Sequence, residues 1–157
     1  MALEFSDEAR SELAEIKKRY PAPEGAILPC LYLAQREFGY ISLEAMQYVA
    51  DQIGVAPARI YGVATFYTMF NKEPVGKHLV QVCMNLPCML RGAGEVFEYI
   101  SQKLGIKEGE TTPDGKFTLM KVECLGACGN APMMQINEDY YEDLTPEKVD
   151  RILDGLK

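Results

Sequence analysis

The apolar positions change period near the middle of the chain. Over the first half they recur every three or four residues, as on one face of a helix. Asp7 to Tyr20 places Ala9, Leu13, Ile16 and Tyr20 on one stripe, behind Ser6 as an N-cap. Glu24 to Phe38 repeats the spacing with Ile27, Leu31, Ala34 and Phe38. Pro29 near its first turn narrows or kinks the start, and Gly39 suits the position just past the end. Ser42 caps a third helix bearing Leu43, Met46, Ala50 and Ile53, closed by Gly54. Pro57 opens a fourth with Ile60, Val63, Tyr67 and Phe70. Four short helices with short joints predict a small bundle over residues 1–73.

Asn71 to Lys77 breaks the helical pattern and reads as a linker. Beyond it, apolar runs of strand length alternate with helical stripes. The pattern predicts a strand over Lys77–Met84, then a helix from about Arg91 to Leu104 with Ala93, Val96, Phe97, Ile100 and Leu104 inward. Pro113-Asp114-Gly115 marks a turn before a strand running from Phe117 to Cys124. Pro132–Asn137 and Tyr140–Glu142 read as a hairpin, and Thr145-Pro146 starts a last helix with Val149, Ile152, Leu153 and Leu156. The order β-α-β-β-β-α predicts a thioredoxin-like domain over residues 74–157. The fold class is α/β (α+β), with a helical bundle ahead of it.

Composition narrows the function. The 157 residues are 48% hydrophobic and 25% charged, as in a soluble globular protein. A net charge of −7 without a basic block argues against nucleic acid or an anionic membrane as direct partner. No apolar run approaches the roughly 20 residues that span a bilayer. The acidic start, Met1 to Glu8, matches neither a secretory signal nor an Arg-rich transit peptide, which points to the cytoplasm. There, clustered cysteines usually mean metal or catalysis, and the odd count of five argues against a disulfide framework.

Four of the cysteines carry the chemistry. Cys83 and Cys88 form C-x4-C; after 35 intervening residues Cys124 and Cys128 form C-x3-C. Each pair follows a predicted strand, so the backbone can bend around a bound centre. Four thiolates from two loops make a metal site, and the spacing favours a [2Fe–2S] cluster. The natural division is Cys83 and Cys88 on one iron, Cys124 and Cys128 on the other. Small residues around the second pair, Leu125-Gly126-Ala127 and Gly129-Asn130-Ala131, let amide N–H groups turn toward the sulfurs. Gly129 is expected to be the position where a β-branched side chain disturbs that geometry. The alternative metal is structural zinc, which prefers two shorter knuckles. A thioredoxin-type redox role needs a C-x-x-C, and the chain has none.

Other residues have plainer readings. His78 is the one histidine, so a Rieske centre with two histidines is closed off; it reads as surface or packing. Cys30 lies in an apolar helical stretch and reads as core. Gly92-Ala93-Gly94-Glu95-Val96-Phe97 imitates a dinucleotide fingerprint, but Phe97 stands at the third glycine; the glycines are expected to let the helix approach the cysteine loop. Met84, Met89, Met133 and Met134 are expected to wall the site.

These residues resemble a known family. Cys83-x4-Cys88, Val122-Glu123-Cys124-Leu125-Gly126-Ala127-Cys128-Gly129-x-Ala131-Pro132 and Gly62-Val63-Ala64-Thr65-Phe66-Tyr67 together look like the small iron–sulfur subunit of NADH:quinone oxidoreductase, respiratory complex I, NuoE type. The resemblance runs from the second helix to the last. It implies one [2Fe–2S] cluster held by Cys83, Cys88, Cys124 and Cys128, and a flavoprotein partner of NuoF type that binds FMN and NADH. It also implies further complex I subunits as neighbours, on the cytoplasmic side of a membrane-bound complex. The cluster is expected to exchange single electrons with FMN, off the main chain of centres toward quinone and at low potential. Catalysis with NADH then belongs to the assembly and not to this chain alone. Equivalent subunits of NAD-linked hydrogenases and formate dehydrogenases are the alternative within the class; a zinc-stabilised interaction module is the alternative outside it. Tyr61, Phe66 and Tyr67 are expected to pack on the flavoprotein or on the second domain.

Overall fold

Two compact units make up the chain, divided between Pro74 and Val75. The computed structural model describes residues 3–156, so Met1 and Ala2 of the acidic N-terminal run lie outside the described residues.

The first unit is helical. Helix α1 (Asp7–Lys18) is capped by the Ser6 hydroxyl, which accepts from the Ala9 N–H at 3.1 Å. A 3₁₀ turn, Pro23–Ala26, leads into α2 (Ile27–Phe38), so this helix starts three residues later than the apolar spacing predicts. Pro29 is its third residue, where the missing N–H has no intrahelical partner to lose. Ser42 caps α3 (Leu43–Ile53) through the Ala45 N–H, and Gly54 ends it in the left-handed conformation. Helix α4 (Pro57–Phe66) stops four residues short of Phe70. The Thr65 hydroxyl donates back to the Tyr61 carbonyl, Tyr67 turns to extended backbone, and Phe70 returns to the core against Tyr32. That core is built on Cys30, Leu31, Leu33, Ile41 and Ile60, with Phe5 stacked on Phe38 and edge-on to Tyr48. Each such aliphatic side chain contributes roughly 1.5–3 kcal/mol on burial, more than the ~1 kcal/mol of a cap.

The second unit is a four-stranded sheet carrying helices. Strand β1 (His78–Cys83) pairs in parallel with β2 (Phe117–Val122), with Cys83 opposite Val122. Between them run a short helix, α5 (Leu86–Leu90), and a longer one, α6 (Ala93–Leu104). Strand β3 (Met134–Ile136) is antiparallel to β1, and β4 (Asp139–Tyr141) is antiparallel to β3 across the turn at Asn137-Glu138. Helix α7 (Pro146–Gly155), capped by Thr145, closes the chain. The sheet order β2-β1-β3-β4, with a βαβ unit followed by ββα, is the thioredoxin-like arrangement.

Val80, Val82, Leu119, Met134 and Ile136 pack with Phe97 and Ile100 of α6 and Val149 and Leu153 of α7. Gly76 and Lys77, read as linker from the sequence, are bound into this unit. The Gly76 N–H donates to Thr118 Oγ1 at 2.7 Å, and the Lys77 N–H to the Gly115 carbonyl at 3.0 Å. His78 opens β1 with 8% exposure and its ring 5.4 Å from that of Phe117, which makes it a packing residue.

Candidate metal centre

The site lies where the parallel strands β1 and β2 end, in the two loops beyond their carboxyl ends. Cys83 is the last residue of β1, and its N–H donates to the Met133 carbonyl at 3.2 Å. Cys88 sits inside α5, a turn of helix that starts at Leu86 with Pro87 second, where the sequence pattern predicts a loop. Both thiols are buried, Cys83 at 2% exposure and Cys88 at 1%. They pack with Ala93, Ala131 and Met133, and Met84, Leu125 and Ala127 lie partly buried around them.

The second pair is different. Strand β2 ends at Val122, so Glu123 and Cys124 leave the ladder, and Cys128 opens a 3₁₀ turn, Cys128–Asn130. Cys124 and Cys128 are exposed, with their sulfurs 4.0 Å apart. The pairs sense each other. Burial, then the hydrogen bond and charge of Cys83, push the Cys88 thiol up to about 11, with Cys128 adding to the rise and the Met133 N–H opposing it. The Cys128 thiol is raised by its hydrogen bond to Cys124, with Cys83 adding to the effect. The two pairs therefore lie beyond the ends of adjacent parallel strands, one pair buried and one open to solvent.

That donor set fits iron. A dinuclear cluster takes two thiolates per iron, and the two cysteine pairs, one from each loop, supply that number.

Three side chains hold the exposed loop. Asn85 Nδ2 donates to Glu123 Oε2 at 3.1 Å, the Tyr140 hydroxyl to the Leu125 carbonyl at 2.7 Å, and Asn130 Nδ2 to Glu142 Oε2 at 2.7 Å. None has a sequence signature, since the partners come from α5's entry, β4 and the strand's exit. Gly126 has φ +85°, which L side chains resist. Gly129 has ordinary backbone and open space where a Cβ would stand, so it is Gly126 that the loop constrains. The four-methionine wall reduces to Met133 and Met84; Met134 belongs to the sheet core and Met89 is 46% exposed. Ala93, between the two glycines at the start of α6, packs with the buried cysteine pair. Cys30 is fully buried in the core of the helical unit and belongs to neither cysteine pair.

A family model described as thioredoxin-like [2Fe-2S] ferredoxin matches residues 13–157. The chain belongs to this family. Among its relatives, an NADH-quinone oxidoreductase subunit of Rickettsia bellii (strain RML369-C) is 54% identical over 156 residues, covering 96% of this chain and 93% of its own. Flavoprotein 2 of the mitochondrial NADH dehydrogenase [ubiquinone] of Dictyostelium discoideum is 52% identical over 157 residues, 98% of this chain and 64% of its own. An NAD+-reducing [NiFe]-hydrogenase in the H2-reduced state shares the fold with a TM-score of 0.72 at 18% identity, over 83% of this chain and 22% of its own. Membership settles the metal in favour of the [2Fe–2S] cluster over zinc.

Proposed function

We propose that this chain is the electron-transfer subunit of an NADH:quinone oxidoreductase, and that Cys83, Cys88, Cys124 and Cys128 ligate its [2Fe–2S] cluster. The observation that supports the ligand assignment is the placement of both cysteine pairs beyond the ends of the paired strands β1 and β2, where Cys83 stands opposite Val122 and the Cys124 and Cys128 sulfurs are 4.0 Å apart. The cluster supplies acceptance and return of one electron at a time. The residues of this chain hold it and shape its surroundings. Cys83, Cys88, Ala93, Ala131 and Met133 keep water from one side. Cys124 and Cys128 leave the other side near the surface, where a partner's redox group can approach.

The partner in this reading is a flavoprotein of NuoF type, carrying FMN and NADH, among further complex I subunits. Its docking is supported by exposed apolar side chains beside the site, Leu86 and Leu90 of α5, and by Tyr61, Phe66 and Tyr67 at the end of the helical unit. The two units act as separate domains, the first for assembly and the second for electron transfer. Among the described residues no helix is long and apolar enough to cross a membrane. The chain then sits on the cytoplasmic side of a membrane-bound complex, attached through other subunits. The hydrogenase neighbour shares the fold alone, so the 54% identical relative keeps the quinone-linked complex as first reading.

Co-purification with the flavoprotein and low-temperature EPR after NADH addition tests this. The expected result is one reducible [2Fe–2S] signal per chain, with electrons arriving from NADH when the partner is present and not when it is absent. Zinc in place of iron, or a complex with hydrogenase subunits, overturns it.

A further inference from the structure

Tyr140 is on the edge strand β4 and is 51% exposed, yet its hydroxyl reaches across to the loop that bears the open cysteine pair. It donates to the carbonyl of Leu125, the residue directly after Cys124. The Leu125 C=O and the Gly126 N–H belong to one planar peptide and point opposite ways. Anchoring the carbonyl therefore also sets the direction of that N–H. Among the described residues no backbone hydrogen bond does the same. Gly126 sits at φ +85°, and glycine accepts either sign of φ, so this peptide can rotate as a unit when released. The other side-chain bonds to the loop fall at its ends, at Glu123 and Asn130.

An exposed tyrosine bonded to a loop carbonyl adds little to global stability. Its effect is on direction. Amide dipoles beside cluster sulfurs tune the reduction potential, because an N–H favours the extra negative charge of the reduced form. Between Cys124 and Cys128 the backbone amides are those of Leu125, Gly126, Ala127 and Cys128; the Cys128 N–H already faces its own thiol, and of the others Gly126 is the most free to turn.

We propose that Tyr140 is a positioning residue for the centre: its hydroxyl sets the Leu125–Gly126 peptide and, through it, the polarity presented to Cys124 and Cys128. This rests on the four-cysteine reading above. Tyr140 touches no ligand atom in this role and acts only through the loop.

The test is Tyr140→Phe in the full-length, cluster-loaded chain. Iron and sulfide per chain, thermal midpoint, reduction midpoint potential and the reduced EPR spectrum are measured beside the parent. The expected result is unchanged iron, sulfide and thermal midpoint, with a shifted potential and altered g-values. Faster iron release at an unchanged fold is a stronger form of the same result. Gly126→Ala loads the same peptide from its other side and is expected to move the same two readouts, which keeps the proposal testable should the first variant misfold. Tyr20→Phe, at a partly exposed tyrosine of the helical unit, is expected to move neither. A Tyr140→Phe protein with the parent's potential, spectrum and release rate overturns the proposal, as does an equal shift in Tyr20→Phe. A parent chain that binds no iron and sulfide overturns the four-cysteine reading itself, before any variant is compared.

Discussion

Asn85 Nδ2 donates to Glu123 Oε2 at 3.1 Å, joining the residue two past Cys83 to the residue just before Cys124. The two cysteine loops are 38 residues apart in sequence at this point, and this bond crosses between them. It is exposed, so its contribution falls below the range for a buried hydrogen bond to a charged group, at about 1 kcal/mol. Loop order feels that amount more than global stability does.

Asn85→Ala is therefore expected to speed iron release to a chelator a few-fold, with little change in thermal midpoint. Asn85→Asp sets two carboxylates against each other and should act more strongly. Release rates that are equal in the parent and both variants would show that the cross-link does not order the loops.

The cysteines separate by role. Alanine at Cys83, Cys88, Cys124 or Cys128 is expected to abolish the cluster or leave it labile. Cys30→Ala only removes a buried sulfur from the helical core, at a cost of about 1 kcal/mol, and should keep full iron and sulfide. Burial also raises the Cys30 thiol to about 11, so in the native cluster-free chain at pH 8 alkylation should reach the exposed Cys124 and Cys128 first. Mass spectrometry of labelled peptides and iron analysis check both points. Early labelling of Cys30, or cluster loss in its alanine variant, contradicts them.

Glycine positions give a third contrast. A side chain at Gly126 meets φ +85° and should cost roughly 1–2 kcal/mol, felt locally as cluster lability. Gly129→Ala meets open space and ordinary backbone and should stay within about 0.5 kcal/mol. At Gly76 the obstacle is steric: an added Cβ would stand 2.9 Å from the Phe117 carbonyl carbon and 3.0 Å from the Gly115 oxygen. Gly76→Ala should destabilise the second unit by roughly 1–3 kcal/mol, or about 4–8 °C per kcal/mol. Thermal denaturation ranks Gly76 first for global stability; a Gly129 variant worse than either would refute the ranking.

Lys103 of α6 bridges two carboxylates of α7, Asp150 at 2.9 Å and Asp154 at 2.8 Å, and Tyr99 donates to Asp150 at 2.8 Å. The Lys103 hydrogen bond, then that of Tyr99, hold the Asp150 carboxyl below its usual range. The hydrogen bonds that Lys103 donates to Asp154 and then to Asp150 raise it above its own. A depressed carboxyl contributes stability that is present above its unfolded pKa, about 3.9, and lost as pH falls through the folded value. A raised lysine contributes stability that is present below its unfolded pKa, about 10.4, and lost as pH rises through the folded value. The stability gap between parent and Lys103→Met should thus be flat across neutral pH, close at both extremes and shrink with salt. Denaturant titrations across pH measure it; a gap that peaks at either extreme would be inconsistent with this bridge.

Much of this protein is written locally. Ser6, Ser42 and Thr145 cap the helices they precede, Gly39 and Gly54 end theirs, and the change in apolar period separates a helical half from a sheet-bearing half. Those features depend on residues within a turn or two of each other, so the chain alone determines them. The same holds for the two cysteine spacings, which mark the four candidate ligands before any fold is known.

Contacts between remote residues decided the rest. Phe70 could be placed in the core only by ending α4 at Phe66, which the helical period did not show. Met134 went to the sheet core as the first residue of β3, and Met133, just before that strand, went to the cysteines. One thiol pair became buried and the other exposed because α6 and Met133 cover the first, and among the described residues nothing covers the second. Gly126 rather than Gly129 became the constrained glycine because the loop is held at Glu123, Leu125 and Asn130 by Asn85, Tyr140 and Glu142. Ligand identity is a property of residue type and spacing. Ligand environment is a property of packing, and packing exists only once strands and helices far apart in sequence have met.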